Sequence, residues 1–137
     1  MKAFLFLLLF FQMIIAKELL VVGNNSFPEQ NLTLEEIASI FLKKKRFIHN
    51  EKILVMNFEA NTPIRECFEK NILQKSRTSL ERYWRKAYYQ GKKPPKVITS
   101  PEMLFSYLEC ISPSIGYIDA NATEENNVTI LYKIECE

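Results

Sequence analysis

The feature that most constrains this chain is an alternation of short apolar runs with helix-start signals. ELLVVGN (18–24) reads as a buried strand. After the turn-rich NNSFPEQN, Thr33-Leu34-Glu35-Glu36 forms a capping box, in which the Thr33 hydroxyl accepts a helix N–H and Glu36 reaches back. Leu34, Ile37, Ala38 and Phe41 then recur at helical spacing, to about Lys44. KILVMNFE (52–59) is a second strand, apolar enough for burial on both faces. Asn61 or Thr62 caps the next helix, and Pro63 suits its first position because it has no N–H to leave unpaired. Ile64, Cys67, Phe68 and Ile72 make one apolar stripe, so Cys67 reads as a packed core thiol.

A second capping box, Thr78-Ser79-Leu80-Glu81, opens a helix with Leu80, Tyr83, Trp84, Ala87 and Tyr88 on one side. Arg82, Arg85 and Lys86 occupy the other. Gly91 ends it and Pro94-Pro95 stiffen the exit. KVITS (96–100) is a third strand. Ser100 and Pro101 start a helix along Leu104, Tyr107, Leu108 and Ile111. IGYID (115–119) and VTILYKI (128–134) are the last strands, separated by the polar ANATEENN. The order βαβααβαββ predicts an α/β domain, a mixed sheet flanked by helices.

The N-terminus carries Lys2, an apolar run to Phe11, then QMIIA. This reads as a signal peptide over residues 1–16 with cleavage after Ala16, leaving an exported single domain of residues 17–137 and no membrane span. The formal charge of +2 excludes a nucleic-acid binder, which needs a dominant basic field. The Lys43-Lys44-Lys45-Arg46 run suits a solvated helix end. The three cysteines, Cys67, Cys110 and Cys136, fit no metal spacing, and His49 is the single histidine. No metal, no cofactor and no enzyme activity are therefore expected. If the last two strands pair as a hairpin, the end of the second returns beside the helix that ends at Cys110, which predicts a Cys110–Cys136 disulfide.

Four N-x-S/T sequons, at Asn24, Asn31, Asn121 and Asn127, exceed the roughly one that composition predicts. Asn31, Asn121 and Asn127 also carry an acidic residue two places earlier, as do acceptors of bacterial periplasmic oligosaccharyltransferases, and are the glycosylation candidates.

Three segments, in this order, carry a family likeness. LTLEEIASIFLKKKRFI resembles a helix of periplasmic phosphate-binding proteins, the capture subunits of phosphate ABC transporters. KILVMNFEANTPIRECFEKNIL resembles the strand, loop and helix that follow it. SPEMLFSYLECISPSIGYID resembles the late helix and strand, and YWRKAYYQGKKPP is similar to the Trp, Gly and Pro-Pro pattern of short relatives. The resemblance implies a single lobe of the type 2 periplasmic-binding fold. It also implies an exported solute-binding-like module whose partner is phosphate or a similar small oxyanion. The alternative is a structural module that binds an unidentified periplasmic protein. Asn61-Thr62-Pro63 stands where the family places Ser-Gly-Thr, which removes permissive backbone and one N–H donor.

The candidate anion site is Asn61, Thr62, Ile64 and Arg65. A hydroxyl, free first-turn N–H groups and a guanidinium would converge there on an oxyanion. The competing reading is local: Arg65 and Glu69, four apart, pair across one helical turn.

Overall fold

The computed structural model describes residues 17–122 and 127–136. Its elements are β1 (Lys17–Asn24), α1 (Leu34–Phe41), β2 (Phe47–Ile48), β3 (Glu51–Lys52) and β4 (Leu54–Phe58). Then come α2 (Pro63–Phe68), a π-helical turn (Glu69–Leu73), α3 (Arg77–Tyr89), β5 (Lys96–Ile98), α4 (Pro101–Cys110), β6 (Ser114–Asp119), a short 3-10 turn (Ala120–Ala122) and β7 (Val128–Cys136).

Local signals set most helix starts. Thr33 Oγ1 accepts the Glu36 N–H, and Ser100 Oγ accepts the Met103 N–H with Pro101 behind it. The start of α3 departs from expectation. Ser76, not Thr78, is the cap and accepts the Ser79 N–H. Gln74, at φ 53°, ends the preceding turn in the left-handed region, so the serine two residues later is already extended and free to cap.

The strand expected over 52–59 is also divided. Glu51 and Lys52 pair with Phe47 and Ile48 in a small hairpin, turned by His49 and Asn50 at φ 49° and 67°. Leu54–Phe58 alone enters the main sheet.

That sheet has five strands in the order β5-β4-β6-β1-β7. β4 runs parallel to β5 and β6, while β1 is antiparallel to both β6 and β7. The core under it is continuous from Val21 and Val22 on β1 to Met56 on β4, Leu104 on α4 and Ile115 on β6, all essentially inaccessible. Tyr117, on β6, is the largest of the fully buried side chains. It stacks on Phe68 at 4.0 Å between ring centroids and leans on Phe41 and Phe58.

The hairpin expected between the last two strands does not form, because β1 lies between them. Asp119, at the end of β6, faces Leu19, and Cys136, at the end of β7, faces Lys17. The two strands therefore run the same way and finish at the same end of the sheet. Cys110 precedes the start of β6, so it sits at the opposite end from Cys136. This geometry overturns the expected Cys110–Cys136 bond. Cys136 instead joins Cys67, on the helix that leaves the end of β4, with Cα atoms 5.6 Å apart, and Cys110 is free and exposed. Cys67 is thus a crosslink rather than a packed thiol.

Thiol titration of unreduced protein is expected to find one reactive sulfhydryl. Cys67→Ser should lower unfolding stability by about 4 kcal/mol, given a separation of 69 residues. Urea denaturation of both forms checks it.

Candidate functional site

In open α/β sheets, ligands gather beyond the carboxyl ends of the parallel strands. Here that edge is where β4 hands over to α2, and all four expected anion-site residues lie there. They do not converge. Asn61 is exposed, and Ile64 is half-buried against the core. Thr62 donates its hydroxyl back to the Glu59 carbonyl at 2.7 Å and caps nothing.

Arg65 turns inward. Its Nη1 donates to the Phe58 carbonyl at 2.9 Å and its Nε to Glu69 Oε1 at 3.1 Å, with the side chain only 16% exposed. The local i, i+4 pairing is therefore realised, but in a buried setting rather than on the surface. With only six residues, α2 also presents a weak N-terminal dipole.

Glu69 is the hub of this edge. Its Oε1 also accepts Arg77 Nη2 at 2.7 Å, and Arg77 reaches the Ala60 carbonyl at 2.8 Å. One carboxylate thus ties together the end of β4, the start of α2 and the start of α3. Glu69 is 5% exposed, and its other oxygen, Oε2, is buried without a hydrogen-bond partner among the described residues. It opens the π-helical turn, a geometry that recurs at functional sites.

Sequence reasoning missed Arg77. It lies eight residues from Glu69, beyond the turn where helical phase is lost. A signal was present nonetheless, since the first turn of α3 holds a cation and no acid.

Beside this hub is an open groove of about 680 Å³, lined by Ala60, Asn61, Lys70, Lys75, Ser76 and Arg77, with Glu66 and Glu69. Three cations face two carboxylates, and the Arg77 side chain is 39% exposed. Of the expected residues, Asn61 alone lines it.

Next to the hub, Tyr117 donates to Asn57 Oδ1 and accepts the Phe58 N–H at 3.2 Å. Burial holds its phenol well above the usual tyrosine range.

No protein-family model matches the chain, and no curated relative matches it in sequence. Solved structures do match. An ABC-type phosphate transport receptor from Vibrio cholerae superposes with TM-score 0.66 at 19% identity, over 84% of this chain and 45% of the receptor. A putative phosphate ABC transporter substrate-binding protein from Clostridium perfringens, with bound phosphate, gives 0.67 at 17%, over 85% and 45%. PstS from Borrelia burgdorferi gives 0.63 at 19%, over 85% and 47%. The fold is that of one lobe of a phosphate transport receptor. The chain spans less than half the length of each of these receptors. The receptor-lobe fold expected from the sequence is therefore present.

The remaining candidates lie elsewhere. Asn31 (φ 59°), Asn121 and Asn127 are exposed, while Thr123 and Glu125 of their sequons are outside the described residues. Asn24 is buried and bonded to Ser26, Ser112 and the Ser114 N–H, which removes it as an acceptor. Residues 1–16 are outside the described range. No described helix is long and apolar enough to cross a membrane, and no described cluster of His, Cys, Asp or Glu is arranged to hold a metal.

Two outcomes follow. Glu69→Ala strands two guanidinium groups and should cost about 3 kcal/mol, read as a lower urea midpoint. The Tyr117 shift favours the protonated form in the folded state. Its contribution is therefore complete below the unfolded value of about 10 and is lost as pH rises above it. Melting temperature should fall with alkali from about pH 10, and Tyr117→Phe should lessen that slope.

Proposed function

We propose that this chain is an exported, non-catalytic binding module that takes a protonated oxyanion of the phosphate class beside Arg77 rather than Arg65. The observation that carries this is the open groove walled by Lys70, Lys75 and Arg77, behind which Glu69 Oε2 is buried with no hydrogen-bond partner among the described residues. The Glu66 and Glu69 carboxylates on the groove wall favour a ligand that donates a hydrogen bond. The cations favour one that accepts. Hydrogen phosphate does both through one small group, whereas sulfate at neutral pH only accepts.

The likeness to a receptor lobe solved with bound phosphate supports the same ligand class. Because the groove is open to water, the charges are screened, and affinity on the order of millimolar is expected.

The inward turn of Arg65, with the Thr62 hydroxyl bonded back to the Glu59 carbonyl, favours a second reading, in which the lobe has lost its ligand and serves a protein partner. Amide chemical-shift titration separates the two. Phosphate should move Asn61, Lys75, Ser76 and Arg77, with sulfate weaker. Lys70→Ala, which leaves the Glu69 hub intact, should weaken the response, and Arg77→Ala should abolish it. No response to phosphate at millimolar concentration would leave the protein-partner reading in its place.

A further inference from the structure

The outer face of α3 carries a charge pattern that the groove does not use. Residues 82–96 hold six cations, Arg82, Arg85, Lys86, Lys92, Lys93 and Lys96, and no carboxylate, in a chain of net charge +2. Arg82, Arg85, Lys86 and Tyr89 fall at i, i+3, i+4 and i+7, on one helix face and opposite the buried Leu80 and Ala87. Gly91, at φ 77°, folds the chain back so that the Lys92 N–H reaches the Ala87 carbonyl, which sets Lys92 and Lys93 against the helix end. Lys96 lies over the Tyr107 ring, and none of the other five has a carboxylate partner among the described residues.

The helix dipole accounts for cations in the last turn. It does not account for Tyr88 and Tyr89, which stand 73% and 85% exposed beside them. A second basic segment adjoins this one. Tyr83 donates to the Leu42 carbonyl at 2.6 Å, which brings the end of α1 and the run from Lys43 against α3. There Phe47, 52% exposed, sits between Arg46 and Lys52. Burial and the like charges of Lys52 and Arg46 hold the Lys43 ammonium below its usual range, while Lys45 in the same run pairs with Glu29.

We propose that the outer face of α3 and the turn after it dock on a bilayer surface rich in anionic phospholipid headgroups. Protein interfaces favour arginine and are depleted in lysine. Here lysine outnumbers arginine, four to two. Lysine clusters with exposed tyrosine are the composition of headgroup-facing segments, where the ring sits at the interface and the ammonium groups meet phosphate. The surface is separate from the oxyanion groove and stands or falls independently of it.

The test is co-sedimentation of the exported protein with vesicles of phosphatidylcholine alone and of phosphatidylcholine with phosphatidylglycerol, at low and high salt. Binding should require phosphatidylglycerol and be released by salt. Lys92→Glu with Lys93→Glu should lower it by about tenfold or more. Tyr88→Ser with Tyr89→Ser should weaken it while keeping the salt dependence. An apolar leader, if retained, inserts in both vesicle types and cannot create the lipid dependence. The absence of any salt-released fraction that depends on phosphatidylglycerol, or an unchanged charge-reversed variant with native circular dichroism, overturns the proposal. Salt-sensitive binding to an acidic protein without any phosphatidylglycerol dependence overturns it too.

Discussion

A single buried carboxylate organises the end of the molecule that matters most. Glu69 draws two guanidinium groups onto one oxygen, and each guanidinium also satisfies a carbonyl at the end of β4, Phe58 for Arg65 and Ala60 for Arg77. Neither contact is a free gain, since desolvating such charges offsets much of their attraction. Their effect is positional. Remove the carboxylate and two cations face each other at a strand end with nothing between them. The direction of α2, the π-helical turn and the entry to α3 all follow from that arrangement.

The same arrangement explains why Arg65 is not presented to solvent at the loop after β4. An arginine near a helix start meets positive backbone partial charge and needs an anion. In this chain the anion is internal. The cation left partly uncommitted is Arg77, one element later, and the vacant hydrogen-bonding capacity lies on Glu69 Oε2. The partly exposed cation therefore lies at the groove before the second helix after β4, not on the first.

What the sequence revealed was local. The Thr33 cap and the Ser100-Pro101 start depend on residues within one turn, and both formed as their spacing implied. The start of α3 was misplaced by two residues because Ser76 and Thr78 are equally capable acceptors. Only the left-handed Gln74 decides between them. The β2–β3 hairpin was illegible because His49-Asn50 is a weak turn signal beside Asn-Gly. The position of β7 was illegible for a different reason. Its partner, β1, lies more than a hundred residues away, and no local pattern distinguishes a hairpin from pairing across an intervening strand. At the site, the i, i+4 relation of Arg65 and Glu69 was readable. The relation of Glu69 to Arg77 was not, because a π-helical turn breaks the 3.6-residue phase on which such spacing rests.

The disulfide has a topological corollary. Joining Cys67 to Cys136 closes a covalent ring that contains α3, β5, α4, β6 and β7, while β1, outside the ring, pairs between its last two strands. A protease that cut the exposed turn at Gly91 would open the ring without freeing a fragment. The nicked chain would keep its mass until a reductant reached the sulfur bridge, so surface cleavage and loss of material are separate events for this protein.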